Sequence, residues 1–135
     1  MDKTFLNFID CQKLSRIPSV ADSIKEVSFW YGKRDKQLYM SKHIYTGLRD
    51  FSRVYLPAYT DADLNVVLPH KIIFRRKTVP KNIYDLIIRK TRNGKYQCEY
   101  ENQIKSNPSL VQIQGDTEVE AKAKLILFLN KNKLL

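Results

Sequence analysis

The dipeptide Asn93-Gly94 stands between two runs of strand-forming residues, Ile83 to Lys90 and Lys95 to Tyr100. Asn-Gly is the strongest short hairpin signal, because a tight hairpin turn asks for positive φ at its central residues. It commits this part of the chain to an antiparallel pair. Within the second arm, Tyr96, Cys98 and Tyr100 share one side and Lys95, Gln97 and Glu99 the other. That alternation predicts one packed face and one wet face.

A cover for the packed face comes later in the sequence. Gly115-Asp116-Thr117 leads into Glu118, Val119, Glu120 and Ala121. Thr117 with Glu120 reads as a capping box. The helix should run to about Asn130, with Val119, Ala123 and Ile126 beside a stripe of Leu125, Phe128 and Leu129. It is expected to lie across the sheet.

The remaining segments fill in the order. Asp2 to Leu14 has near-helical apolar spacing, with Asp2 as a cap and Pro18 as a break. Val20 to Lys25 reads as a helical turn or a loop. Glu26 to Tyr31 and Gln37 to Met40 read as strands around the polar turn Gly32 to Lys36. Ser41 to Phe51 reads as a short helix. Arg53 to Ala58 reads as extended, since the residue before Pro57 is pushed out of the α region. Thr60, Asp61 and Asp63 open a two-turn helix that Pro69 ends. Lys71 to Thr78 and Leu110 to Gln114 are further strands, and Gln103 to Pro108 is a loop. Together these predict an α+β, two-layer domain. Its sheet is mainly antiparallel, of about 4–6 strands, packed by helices that include the C-terminal one. The 135 residues fit one domain, 1–135.

Asp2 and Lys3 open a short mixed run rather than a secretion signal. The longest apolar run, Leu125 to Leu129, is far below the ~18 residues of a membrane span. The expected setting is cytoplasmic, with no membrane partner. Cys11 and Cys98 are remote and lack Cys-x-x-Cys spacing, so they read as free thiols. With His43 and His70 they lack the close pairs of a structural zinc site. No metal ligands, cofactor or catalytic residues are assigned. No elbow motif frames a serine, and Gly94 and Gly115 are isolated, so there is no phosphate loop. Asp61 with Asp63, and Glu118 with Glu120, sit in first helical turns, where capping accounts for them.

What stands out is charge. The chain carries 24 Lys and Arg against 14 Asp and Glu, a formal +10. Between Val66 and Tyr100, nine cations against two anions leave +7. Arg75, Arg76 and Lys77 sit at one strand end, and Arg89, Lys90, Arg92 and Lys95 surround the Asn-Gly turn. If those ends adjoin, they form one basic patch near Tyr84 and Tyr96. Cations hold phosphates and aromatics stack bases. The competing use of such charge is to solvate a sheet edge and prevent edge-to-edge pairing. The consecutive aromatics Phe29, Trp30 and Tyr31 need cover on both faces of their strand. An exposed one would suit a protein partner or a homodimer.

Two patches carry a resemblance. The run Val54-Tyr55-Leu56-Pro57-Ala58-Tyr59-Thr60, with Asp63-Leu64 and Leu68-Pro69, is the first. The second is the final helix with Gly115, Asp116, Thr117, Glu120, Ala121, Ala123, Leu125 and Leu129. As an ordered pair they resemble short proteins encoded by phages, prophages and mobile elements of gut bacteria. The resemblance implies a small α/β sandwich-like phage protein, and it carries no activity, cofactor or catalytic residue. The terminal patch alone is similar to the last helix of HicB-type antitoxins. The acidic strand and Gly-Cys turn of that family are missing here, and no DNA-binding helical segment comes after the helix. The sequence therefore reads as a non-enzymatic basic binding protein. The alternatives are a nucleic-acid or polyanion module using Arg75, Arg76, Lys77, Arg89, Lys90, Arg92 and Lys95, and a protein-interaction or antitoxin-like module.

Overall fold

The computed structural model describes residues 5–41, 51–76 and 79–135. The protein is α+β, as its patterning predicts. Its strands lie in two antiparallel sheets rather than the expected one, of three and four strands. The chain divides into two compact units, Met1–Val67 and Leu68–Leu135.

In the first unit, α1 (Phe8–Ser15) starts at Asn7, whose side chain accepts from the Asp10 N–H at 2.8 Å. The expected cap, Asp2, lies outside the described residues. Pro18 does not simply break the helix. It occupies the first turn of α2 (Pro18–Ser23), where its missing N–H costs nothing. β1 (Phe29–Gly32) and β2 (Leu38–Met40) form the expected hairpin, and β3 (Tyr55–Pro57) pairs on the other side of β1. β3 is an edge strand of this sheet, the place where a strand tolerates Pro57. The helix expected over Ser41 to Phe51 falls mostly on 42–50, outside the described residues. A short turn of helix, α3 (Phe51–Val54), takes up Arg53 in place of the expected extended chain. The restraint imposed by Pro57 reaches back only to Leu56. α4 (Asp61–Val67) opens with a reciprocal cap. The Thr60 N–H donates to Asp63 at 2.9 Å, and the Asp63 N–H donates to Thr60 Oγ1 at 3.3 Å. Leu6, Leu14, Val20, Leu56, Tyr59 and Leu64 are buried in this unit.

The second unit is a four-stranded meander. β4 (Lys71–Arg76), β5 (Val79–Lys90), β6 (Tyr96–Asn102) and β7 (Val111–Gly115) are neighbours in that order. The turn between β5 and β6 is where Asn93-Gly94 places it, but its type differs. Gly94 has φ +81° and Asn93 is not in the left-handed region. The Gly94 N–H donates to Thr91 O at 3.0 Å and the Thr91 N–H to Lys95 O at 2.7 Å. This is the three-residue loop closed by one left-handed residue.

α5 (Glu118–Lys131) packs on β6 and β7. Thr117 Oγ1 accepts from the Glu120 N–H at 3.2 Å. Leu125, Ile126 and Leu129 are fully buried, as are Cys98 and Tyr100 on the sheet. Thr117→Ala removes the cap and is expected to cost about 0.5–2 kcal/mol. A urea melt checks it, and an unchanged midpoint would mean the first turn is held by packing alone.

Candidate functional site

Strand register decides what becomes of the basic patch. Arg76 pairs opposite Val79 at the start of β5. Arg89 and Lys90 pair opposite Gln97 and Tyr96 at its far end. The ten residue-to-residue steps from Val79 to Arg89 span roughly 33 Å of extended chain. A strand paired antiparallel on both sides is entered at one end and left at the other, so its two turns cannot adjoin. Arg76 therefore lies at one end of β5, and Arg89 and Lys90 with the turn of Arg92 and Lys95 at the other. Arg75 and Arg76 belong to β4, and Lys77 lies outside the described residues.

The distant end is sorted further by strand alternation. Arg89 and Lys90 are consecutive and point to opposite faces. Arg89 joins a polar network on the face bearing Gln97, Glu99 and Glu101. It meets Glu99 at 2.6 Å and Glu101 at 3.2 Å. Glu99 also accepts from Gln112 at 3.0 Å, from Ser109 at 3.1 Å and from Gln97 at 3.3 Å. Glu99 is only 3% exposed, so the face expected to be wet is closed there. A buried carboxylate is tolerated when donors surround it, and here they do. Arg89, its side chain half exposed, is thus the counter-ion of these two carboxylates. Farther along the same face, Lys71 sits 3.1 Å from Asp85 and holds that carboxyl below the usual carboxylate range.

Lys90, Arg92 and Lys95 remain, and all three are exposed around the turn. The Lys90 ammonium lies 5.6 Å from the centre of the Tyr96 ring. Lys95 faces Asp116 at 3.8 Å, with both side chains at least half exposed. Such pairs exchange readily with water and other ions. Tyr84 packs edge-on to Phe74 at 5.8 Å, away from this end. Lys124, absent from the sequence-based set, is also exposed, and it donates to Gln114 O at 3.2 Å.

A second basic turn lies in the first unit. Lys33, Arg34 and Lys36 lie exposed between β1 and β2, and its sequence signal is three cations in four residues flanked by Trp30, Tyr31 and Tyr39. The aromatic run itself is covered on both faces. Phe29 packs on Phe5 at 4.7 Å and Tyr31 on Phe8 at 5.7 Å, while Trp30 packs on Phe51 at 4.8 Å.

Cys11 and Cys98 are both buried. Burial pushes the Cys11 thiol up to about 12. It donates to Leu6 O and accepts from the Tyr59 N–H, both at 3.5 Å. His70 is exposed and His43 lies outside the described residues. Among the described residues, no group of three or more His, Cys, Asp and Glu could hold a metal, and no helix is long and apolar enough to cross a membrane.

The residues of the Val54–Thr60 run and of the Gly115-Asp116-Thr117 helix start are mostly folding determinants. Leu56, Ala58, Tyr59, Leu64 and Leu68 are buried, and Thr60 and Thr117 are caps. The chain matches no family model, no curated protein and no solved structure.

Proposed function

We propose that the protein is a non-enzymatic binding protein of the phage or mobile-element type. Its partner is a polyanion, nucleic acid, met at the turn end of the β5–β6 hairpin. The observation that carries this is the joint exposure of Lys90, Arg92 and Lys95 around one turn, beside Tyr96. Arg89, whose charge two carboxylates meet, takes no part. The overall +10 supports the same reading, because long-range attraction raises the encounter rate with polyanions.

Fluorescence anisotropy with labelled duplex at several salt concentrations tests it. Each neutralised phosphate contributes a slope of about −0.9 in log K against log salt, so three cations give roughly −2.7. Arg92→Ala is expected to reduce the slope by about one, with little sequence preference. Arg89→Ala is expected to leave the slope unchanged. Absence of binding at low salt, or unchanged binding when Lys90, Arg92 and Lys95 all become alanine, would remove the proposal.

A further inference from the structure

The three-stranded sheet carries a cavity that the hairpin end does not use. Trp30, Phe51, Tyr55 and Tyr39 form a continuous chain of rings. Their successive centroids are 4.8, 5.1 and 5.8 Å apart. All four rings are half-buried. Trp30 stands on the opposite face of β1 from Phe29 and Tyr31, because successive strand side chains alternate. Trp30, Phe51 and Tyr55 line a cavity of about 360 Å³ together with Lys33 and Ser52. That volume falls within the ~300–1,000 Å³ range of small-molecule sites.

The walls are held in place. Trp30 Nε1 donates to Ser41 Oγ at 2.8 Å, and that hydroxyl donates to Val27 O at 2.6 Å. Lys33 Nζ donates to Ser52 O at 2.5 Å. An ammonium carries three donors, so this bond holds Lys33 at the cavity wall without using it up. Arg34 is exposed next to Lys33, and Arg53 comes directly after Ser52 on α3, whereas Lys36 lies over the Phe8 ring, 5.5 Å from its centre, on the side of Tyr31. Asp35 is engaged within the turn, accepting from the Tyr39 hydroxyl and from the Gln37 N–H. Lys33 thus brings a positive charge to the cavity wall, with Arg34 and Arg53 next to its lining residues in the sequence.

We infer that this cavity is a nucleotide site. A base stacks against the wall of Trp30, Phe51 and Tyr55, and its phosphate meets Lys33. Aromatic side chains accept any base through its π-face, and flanking cations take the backbone. The inference rests on the polyanion reading and narrows it. A duplex hides its base faces, so the ligand is an unpaired strand or a free nucleotide.

Trp30 is the single tryptophan of the chain, so its fluorescence reports on this cavity. The experiment titrates the full chain with a labelled 12-mer thymidine strand, a duplex of equal length, and AMP. Anisotropy reads binding anywhere on the protein, and Trp30 emission reads the cavity. The single strand is expected to quench Trp30 and to bind more tightly than the duplex. Tyr55→Ala is expected to weaken strand binding roughly 5- to 100-fold, whereas Tyr55→Phe, which keeps the ring, leaves it unchanged. Quenching by the strand but not by AMP identifies a strand as the source, and quenching by AMP identifies a free nucleotide; either supports the site. Anisotropy without quenching, with Tyr55→Ala as wild type, overturns the site and leaves the hairpin reading intact. Quenching by AMP with no oligonucleotide binding keeps the site and removes the hairpin reading. If neither signal changes with any probe, both fail.

Discussion

Leu125→Ala is expected to lower the stability of the Leu68–Leu135 unit by about 2–5 kcal/mol. Leu125 is fully buried at the centre of α5, between Ala121 and Leu129 on the same side, and the helix packs on β6 and β7. Truncation removes the transfer energy of its methyl groups and leaves a cavity that the helix cannot close, since Ile126 and Leu129 are fully buried as well. Urea melts monitored by far-UV circular dichroism measure the cost. Leu127, half-buried on the same helix, is the comparison, and Leu127→Ala should cost less. A melt in which Leu125→Ala is silent would mean that α5 is a solvated appendage and that something else closes the sheet.

Gly115→Ala is expected to cost about 1–3 kcal/mol through overpacking. A Cβ at Gly115 would lie 2.6 Å from the Ala121 backbone nitrogen and 3.0 Å from its Cα. The obstacle is backbone, so no rotamer change relieves it, and the first turn of α5 must lift away from the end of β7. This gives the glycine of the Gly115-Asp116-Thr117 run its physical role: close approach of helix to strand. Gly94 is a different case, with nothing within 4 Å of a Cβ but a φ of +81°. There alanine meets only the left-handed backbone penalty, about 1–2 kcal/mol. In Gly115→Ala, amide exchange should quicken in the first turn of α5 and at the end of β7 while the β4–β5 pair keeps its protection. Uniform protection equal to wild type would show that the chain accommodates the methyl group and that the approach is looser than described.

Much was legible because its causes are local. A hairpin at Asn93-Gly94, caps at Thr60 and Thr117, the alternation of Tyr96, Cys98 and Tyr100, and the stripe of Leu125 and Leu129 each depend on residues a few positions apart. The hairpin, the caps and the stripe appear in the structure, and Cys98 and Tyr100 are buried, but Glu99 between them is buried too. The turn type departs from expectation because Asn-Gly serves two loop geometries, and only the pairing of Thr91 with Lys95 selects between them. Pro18 departs from it because a helix-breaking residue is also a helix-starting one. Here Ser19 to Ser23 continue as helix, so Pro18 starts one.

The candidate site was legible only as a composition. Nine cations within a 35-residue stretch are countable from the chain, but strand pairing decides which of them meet. The register of β5 with β4 and β6 separates Arg76 from Arg89. Alternation then sends Arg89 to Glu99 and Glu101, and Lys90 to Tyr96. Glu99 itself, expected in water, is enclosed by side chains from β5, β6, β7 and the loop before β7. Lys122 on α5 is buried and meets Glu118 at 3.4 Å. The sequence by itself determined the α+β class, the ends of several elements such as α4, β7 and α5, and the faces many of them offer for packing. Those arise from hydrogen bonding and steric preferences within a few residues. Tertiary structure alone decided that there are two sheets, which turns adjoin and which charges are spent inside the fold, because contacts between distant segments select among pairings that local preferences leave equal.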